Sequence, residues 1–315
     1  MTILSTVCWG SFANTFKLTK NYRFELYYWD YAAGIFFVSL ALALTMGSAG
    51  GSGESFLENL HSAAGANLLY AAIGGFIFNI ANVLLIAGIE IVGLAIAFPI
   101  SIGIALVEGV VLSYALQPKG SGRLLAAGVA MAVLAVILIG KAYGELRGKN
   151  QTVSRKGVIV CVISGFLMGA FAPFVTRAMT AAQPLTPYTV AVLFTLGAVI
   201  CCFFFNVYLM KKPIIGVPLD FAGYRSAPAW YHLLGLLGGA VWGVGTVFNF
   251  VAASLVGVAI SYAIGQASPM IAALWGVFVW HEFRGAPRAA KGYLVGMFTA
   301  YVLALVLIAR AYQVG

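Results

Sequence analysis

Apolar residues run along this chain in blocks about as long as a bilayer is thick, separated by short polar stretches. Ten blocks are legible, at 2–16, 27–46, 67–88, 92–116, 124–141, 157–176, 187–209, 230–252, 256–280 and 292–310. An α-helix rises 1.5 Å per residue, so about 20 mostly apolar residues cross a hydrocarbon core of about 30 Å. The pattern therefore predicts an all-α polytopic membrane protein with about ten transmembrane helices, spans 1 to 10. Span 1 is too short, because Thr2 to Phe16 supplies only about 15 residues, or ~22 Å. It has neither the basic start nor the A-x-A-like exit of a signal peptide. The expectation is that the native reading frame begins about ten apolar residues upstream of Met1.

The polar positions between the blocks set the orientation. The odd-numbered loops hold Lys17, Lys20, Arg23, Lys141, Arg147, Lys149, Arg155, Lys156, Lys211, Lys212, Arg225, Arg284, Arg288 and Lys291, fourteen of the eighteen basic residues. Lys119, Arg123, Arg177 and Arg310 remain for the other side. An excess of Lys and Arg marks the cytoplasmic face, so both termini are expected outside. The loop at 47–65 carries Glu54 and Glu58 and no basic residue, in agreement. The loop at 141–156 is the natural boundary between a first half, 1–146, and a second, 147–315.

Composition supports the same class. Hydrophobic residues make up 62% and charged residues 9%, against about a quarter charged in soluble domains. The net charge of +9 does not imply nucleic acid, since a nucleic-acid binder gathers its basic residues on one exposed face rather than between apolar runs. Cys8, Cys161, Cys201 and Cys202 all lie inside apolar runs, with no CxxC or Cys/His spacing. Neither a metal site nor a disulfide framework is supported.

An internal repeat adds the most information. Gly74-Gly75-Phe76 aligns with Gly238-Gly239-Ala240 at a shift of 164, and the pairing runs on without a gap. Val92-Gly93-Leu94-Ala95-Ile96 falls on Val256-Gly257-Val258-Ala259-Ile260, and Ile100 falls on Ile264. A second match links Gly10-Ser11-Phe12-Ala13 to Gly169-Ala170-Phe171-Ala172. Five spans per half is an odd number, so the second half is expected upside down relative to the first. Such inverted repeats occur in secondary transporters, whose sites lie near the midplane between the repeats.

Several stretches carry a family likeness. They are Trp9-Gly10-Ser11, Tyr28-Trp29-Asp30-Tyr31, the run Gly74-Gly75 to Gly93, and Phe171-Ala172-Pro173. Further on come Lys212-Pro213-Ile214-Ile215-Gly216, Gln266-Ala267-Ser268-Pro269 and Trp275-Gly276 to Glu282-Phe283-Arg284. Through them the chain resembles the drug/metabolite transporter superfamily, with five plus five helices. Within it the nearest likeness is to ureide permeases, then to rhamnose/proton symporters and related sugar-uptake proteins. The resemblance implies transport of a ureide or nucleobase-like heterocycle such as allantoin, or else of a sugar such as rhamnose. Plant ureide permeases carry a long central loop with a phosphate-loop-like segment. Here that loop is short and no G-x-x-x-x-G-K-[ST] motif occurs, so no nucleotide cofactor is implied.

Polar side chains inside spans are expensive and each needs a reason. Asn79 and Asn82 lie three apart on span 3, hence on one face. Asn14 on span 1, Thr246 and Asn249 on span 8, and Gln266 and Ser268 before Pro269 on span 9 join them as substrate-binding candidates. Proline there frees a backbone carbonyl. The repeat sets Asn82 opposite Thr246, so convergence on a central cavity is expected; the competing use is hydrogen bonding between helices. Trp9, Trp242, Trp275 and Tyr262 offer faces for a flat ring or a sugar, and Trp9 and Tyr262 are candidate substrate contacts. Tyr27, Tyr28, Trp29 and Trp230 at span ends fit an interfacial belt. Glu108 is read as the carboxylate well inside a span and as the proton-coupling group. Glu90 is read as a solvated end-of-helix residue. Arg177, against the positive-inside trend, is a candidate guard of the outer mouth, or snorkels to lipid phosphate.

Other chemistries find little support. His281-Glu282 is not followed by a second His at the HExxH spacing, so no metal site is read. His61, His232 and His281 sit at span ends or in loops, with no acid–base pair or nucleophile motif, which argues against an enzyme. Gly165-x-x-x-Gly169, Gly239-x-x-x-Gly243 and Gly292-x-x-x-Gly296 permit close helix contacts, and the last is a candidate homodimer contact. The leading reading is a proton-coupled secondary transporter for uptake of a small polar metabolite, in the cell (inner) membrane. Metabolite or drug export is the runner-up, and a non-transporting sensor or scaffold is the reading from another class.

Overall fold

The computed structural model describes residues 1–20, 22–49, 54–147, 154–214 and 216–314; Lys149 and Ile215, used above, lie outside these. All regular structure among the described residues is helical. The chain opens with α1 (Thr2–Ser11) and α2 (Ala13–Leu18), then α3 (Phe24–Thr45), a short α4 (Phe56–Ser62), α5 (Gly65–Val92), α6 (Leu94–Leu116) and α7 (Gly122–Arg147). The second half begins with α8 (Arg155–Thr180) and α9 (Pro187–Cys201), which passes through a π-helical turn, Cys202–Asn206, into α10 (Val207–Lys211). After the small α11 (Phe221–Arg225) come α12 (Ala229–Val256), α13 (Val258–Gly265), α14 (Ser268–Leu274) with a second π turn, Trp275–Val279, and α15 (Arg288–Val314).

Among the described residues nine helical segments are long and apolar enough to cross a bilayer, and they correspond to spans 2 to 10. The chain is an integral multi-pass membrane protein. Span 1 is the short pair α1–α2. Span 5 ends later than its hydropathy suggests: α7 continues through Arg147, because residues past the apolar block include good helix formers that extend it into water. Residues 141–147 of the expected central loop are therefore helix.

The loops alternate between two ends. At one, the Lys17 ammonium meets the Glu282 carboxylate and Tyr143 donates to the same carboxylate at 2.9 Å. Tyr231 donates to the Lys20 carbonyl at 3.4 Å there as well. At the other end, Asn67 Nδ2 donates to the carbonyls of Ala182 and Gln183 at 2.9 and 2.8 Å. Beside it, Lys119 donates to the Leu255 carbonyl at 2.6 Å. The described odd-numbered loops, which carry most of the basic residues, thus share one end, called here the basic end.

Spans from both halves mix in the packing. α1, α3, α12, α13 and α14 form one bundle, α5, α6, α8 and α9 a second, and α7 pairs with α15 at the flank. The bundles meet where α9 touches α3 and α12, and where α13 touches α6. Without a hydrophobic force between helices in lipid, small residues let backbones approach. A Cβ at Gly75 would overlap the Phe194 carbonyl of α9, and one at Gly239 would overlap the Tyr31 carbonyl of α3. Reciprocally, Gly197 faces the Ala72 carbonyl and Gly34 the Leu236 carbonyl. The members of these two contacts differ by 163 or 164 in number. The same offset relates Gly93 and Gly257, at φ 79° and 91°, which turn α5 into α6 and α12 into α13 over a single residue. Only glycine adopts that backbone without strain.

Candidate functional site

Phe78 and Trp242 each stand at the midpoint of a 28-residue helix, α5 and α12. Their rings stack across the two bundles with centroids 5.0 Å apart and planes at 29°. Trp9 also stacks against Trp242, at 6.0 Å and 24°. Around them, Phe171 and Phe194 lie 5.3 and 5.5 Å from Phe78, and Tyr31 lies 6.5 Å from Trp242. Phe12 meets Tyr31, and Phe171 meets Phe194, each pair at 5.4 Å. The centre of the protein is therefore a continuous aromatic layer at mid-depth, drawn from both bundles and built for flat or apolar faces.

A polar cluster adjoins this layer. Tyr28 of α3 donates to Asn79 Oδ1 of α5 at 2.5 Å, and Asn82 Nδ2 donates to the Tyr28 hydroxyl at 3.2 Å. The Cys202 thiol, at the first residue of the π turn, also points at Asn79 Oδ1, 3.8 Å away. Tyr28 is 1% exposed, so the expected place for Tyr27 and Tyr28 in an interfacial belt does not hold. Both are core residues, because α3 packs against α12 and α9. Asn206 closes the π turn and donates to the Glu25 carbonyl at 2.9 Å, tying α9 to the start of α3. Such π turns are frequent at functional sites.

The other expected site residues separate into groups. Trp9 Nε1 donates to Thr246 Oγ1 at 3.2 Å, which keeps both beside the stack. Asn249 and Ser261 exchange side-chain-to-backbone hydrogen bonds at 3.1 and 2.8 Å, so Asn249 braces α12 against α13. The buried Tyr262 hydroxyl reaches the carbonyls of Ala105 and Met168 at 3.2 and 3.3 Å. It therefore ties α13 to α6 and α8. Gln266 lies buried in the break between α13 and α14, and Ser268 opens α14. The break leaves carbonyls that Thr6 and Tyr301 meet, at Ile264 (3.2 Å) and Gln266 (3.5 Å). Asn14 stands apart, accepting from Trp280 Nε1 at 2.6 Å near the basic end.

Glu108 borders the Tyr262 tie. A Cβ at Gly169 of α8 would sit 2.7 Å from its Oε2, and that oxygen is buried without a partner. Arg177 is exposed at the last turn of α8. Glu108 is not alone in being an acidic residue inside a span. Asp30 is 7% exposed, held by His232 Nδ1 at 2.8 Å and by the Tyr224 hydroxyl at 2.6 Å. In the sequence its place four residues into a block, among aromatics, hid it as a span-end residue. No group of three His, Cys, Asp or Glu able to hold a metal occurs among the described residues.

A family model described as sugar transport protein matches residues 52–309. Ureide permease 1 of Arabidopsis thaliana is 21% identical, over 89% of this chain and 87% of its own length. The 346 aligned positions exceed the 315 residues here, so that relative carries inserted segments. Ureide permease 5 of the same plant is 25% identical over 52% of this chain and 41% of its own length. A probable glucose uptake protein GlcU of Staphylococcus aureus (strain MRSA252) is 35% identical over 24% of this chain and 25% of its own. A solved crystal structure of a protein, 15% identical, superposes with a TM-score of 0.63 over 98% of this chain and 96% of its own, a likeness of fold.

Proposed function

The chain belongs to the sugar transport protein family, and on that premise we propose a proton-coupled secondary carrier for uptake of a small polar metabolite. The solute is a ureide or nucleobase-like heterocycle, and the membrane is the cell (inner) membrane with the basic end cytoplasmic. The single observation that carries this reading is the aromatic layer at mid-depth, shared by two bundles and flanked by the Tyr28–Asn79–Asn82 cluster. A carrier needs a site between two bodies that rock against each other, and binding at the midplane between repeats is the transporter pattern. The matched offsets support an inverted repeat. Phe78 and Trp242, the stacked pair, differ by the same 164 as Gly75 and Gly239. Exchange of each span with the one five along turns one bundle into the other.

Aromatic faces and amides suit a planar, amide-rich ring, in line with the name of the full-length relative. A hexose is the second reading, favoured by the family match and by the glucose-uptake relative. Glu108 is the proposed coupling group, since an acidic side chain with an unpartnered oxygen between spans 4 and 6 is costly unless it is used. The test is uptake into proteoliposomes under an inward pH gradient, with labelled allantoin and glucose in parallel. Gradient-driven allantoin uptake supports the reading, glucose uptake alone moves it to the hexose, and flux of neither sets it aside.

A further inference from the structure

Two buried donors in the central cluster have no acceptor among the described residues, Asn79 Nδ2 and the Tyr31 hydroxyl. They belong to one neighbourhood, because the Tyr31 ring lies 5.2 Å from that of Tyr28, whose hydroxyl is bound to Asn79. The Asn79 amide oxygen has two neighbours. It accepts from Tyr28 and faces the Cys202 thiol, and Tyr28 in turn accepts from Asn82. In this arrangement the amide NH₂ is left without an acceptor among the described residues. Tyr31 is held firmly, since its carbonyl is the atom against which Gly239 packs and its ring is wedged by Phe12 and Tyr27. Buried polar groups are almost always paired, and an unpaired one in a membrane interior asks for a partner that comes and goes.

We propose that Asn79 Nδ2 and the Tyr31 hydroxyl form a donor pair that holds a carbonyl oxygen of the solute while its ring lies against the Phe78–Trp242–Trp9 stack. This rests on the carrier reading above and narrows it to planar solutes with a ring or ureido carbonyl. A carbonyl is acceptor only, with two lone pairs that can take a hydrogen bond from each donor. A ring-form sugar presents hydroxyls, whose own protons would need acceptors there, and Asn79 Oδ1 is already taken.

The test uses purified full-length protein and equilibrium binding of hydantoin, its 2-thio and 4-thio analogues, and glucose. A thiocarbonyl keeps the planar ring but is a poorer acceptor. Wild-type protein is expected to bind hydantoin about tenfold more tightly than one of the two thio analogues, the worth of one good hydrogen bond. Tyr31→Phe, which keeps the ring, should weaken hydantoin binding about tenfold and erase the oxygen-over-sulfur preference. Asn79→Asp, which keeps the acceptor for Tyr28 and removes the donor, should do the same. Unchanged affinity and unchanged preference in both variants would overturn the donor pair while leaving a carrier in place. Binding of glucose but not hydantoin by wild type would overturn the carbonyl assignment alone. Binding of none of them, with no flux in the uptake assay, would remove the carrier reading and this inference together.

Discussion

Gly75→Ala and Gly239→Ala make a matched pair of perturbations with a built-in control. At both positions an added Cβ overlaps a backbone carbonyl, of Phe194 and of Tyr31, so no side chain can swing away to relieve it. The helices must separate instead, α5 from α9 and α12 from α3. Overpacking of this kind costs about 1–3 kcal/mol. Replacing glycine by alanine inside a helix returns up to ~1 kcal/mol of propensity, which leaves a net loss of about 0–2 kcal/mol. Gly292 of α15 has nothing within 4 Å of the same Cβ, so Gly292→Ala should gain only the propensity term. The expected order of thermal midpoints in detergent is Gly292→Ala at or above wild type, with the other two below it by a similar margin. At about 2–4 °C per kcal/mol for a chain of this order of size, the gap between control and test variants is several degrees. Midpoints for Gly75→Ala and Gly239→Ala equal to that of Gly292→Ala would mean that the close crossings do not hold the bundles together.

Other outcomes follow from single residues. Glu108→Gln keeps shape and one donor but cannot cycle a proton, so uphill uptake driven by a pH gradient should vanish while solute exchange persists; normal driven uptake would place the proton path elsewhere. Asn82→Ala and Gln266→Ala should weaken transport with little loss of folded protein, because one hydrogen bond in a membrane interior is worth under ~2 kcal/mol. Wild-type transport by both would make these amides structural. At the opposite end from the basic loops, Glu58 completes a capping box with Ser55, whose backbone and side-chain hydrogen bonds hold its carboxyl below the usual value. A depressed pKa means the cap is present above the ordinary glutamate value of about 4.3 and is lost as pH falls through the lower folded one. Amide exchange in α4 should quicken over that acid range relative to the pH trend of Glu58→Gln, and identical trends would deny the cap.

Much of this architecture is legible in the sequence because length and hydropathy alone decide what crosses a bilayer. Spans 2 to 10 follow directly, and the pairing of Gly75 with Gly239 and of Gly93 with Gly257 is visible because backbone contact and left-handed turns admit little but glycine. The Phe78–Trp242 pair is harder to see, since the repeat puts unlike aromatics at equivalent positions and identity matching passes over them. Tyr27 and Tyr28 are hidden for another reason. Tyrosines near a span end look like interfacial anchors, and only the packing of α3 against α12 and α9 shows that they are buried. Asp30 is masked in the same stretch, its partners His232 and Tyr224 lying about two hundred residues away. Asn14 and Asn249 read as members of one polar set, yet each is occupied locally, by Trp280 and by Ser261. Composition cannot tell a side chain that faces a solute from one that ties two helices.

The central claim is that solute passes by alternation of a single midplane site between two bundles. Counterflow in proteoliposomes tests it most directly. Vesicles are loaded with unlabelled allantoin, diluted into trace labelled allantoin with no ion gradient, and the internal label is followed with time, with glucose run alongside. A carrier predicts a transient overshoot, with label rising above its outside concentration and then decaying, for at least one solute, and abolished by Trp242→Ala. A monotonic approach to equal concentrations would indicate a pore, and label no different from protein-free vesicles for either solute would contradict carriage of both.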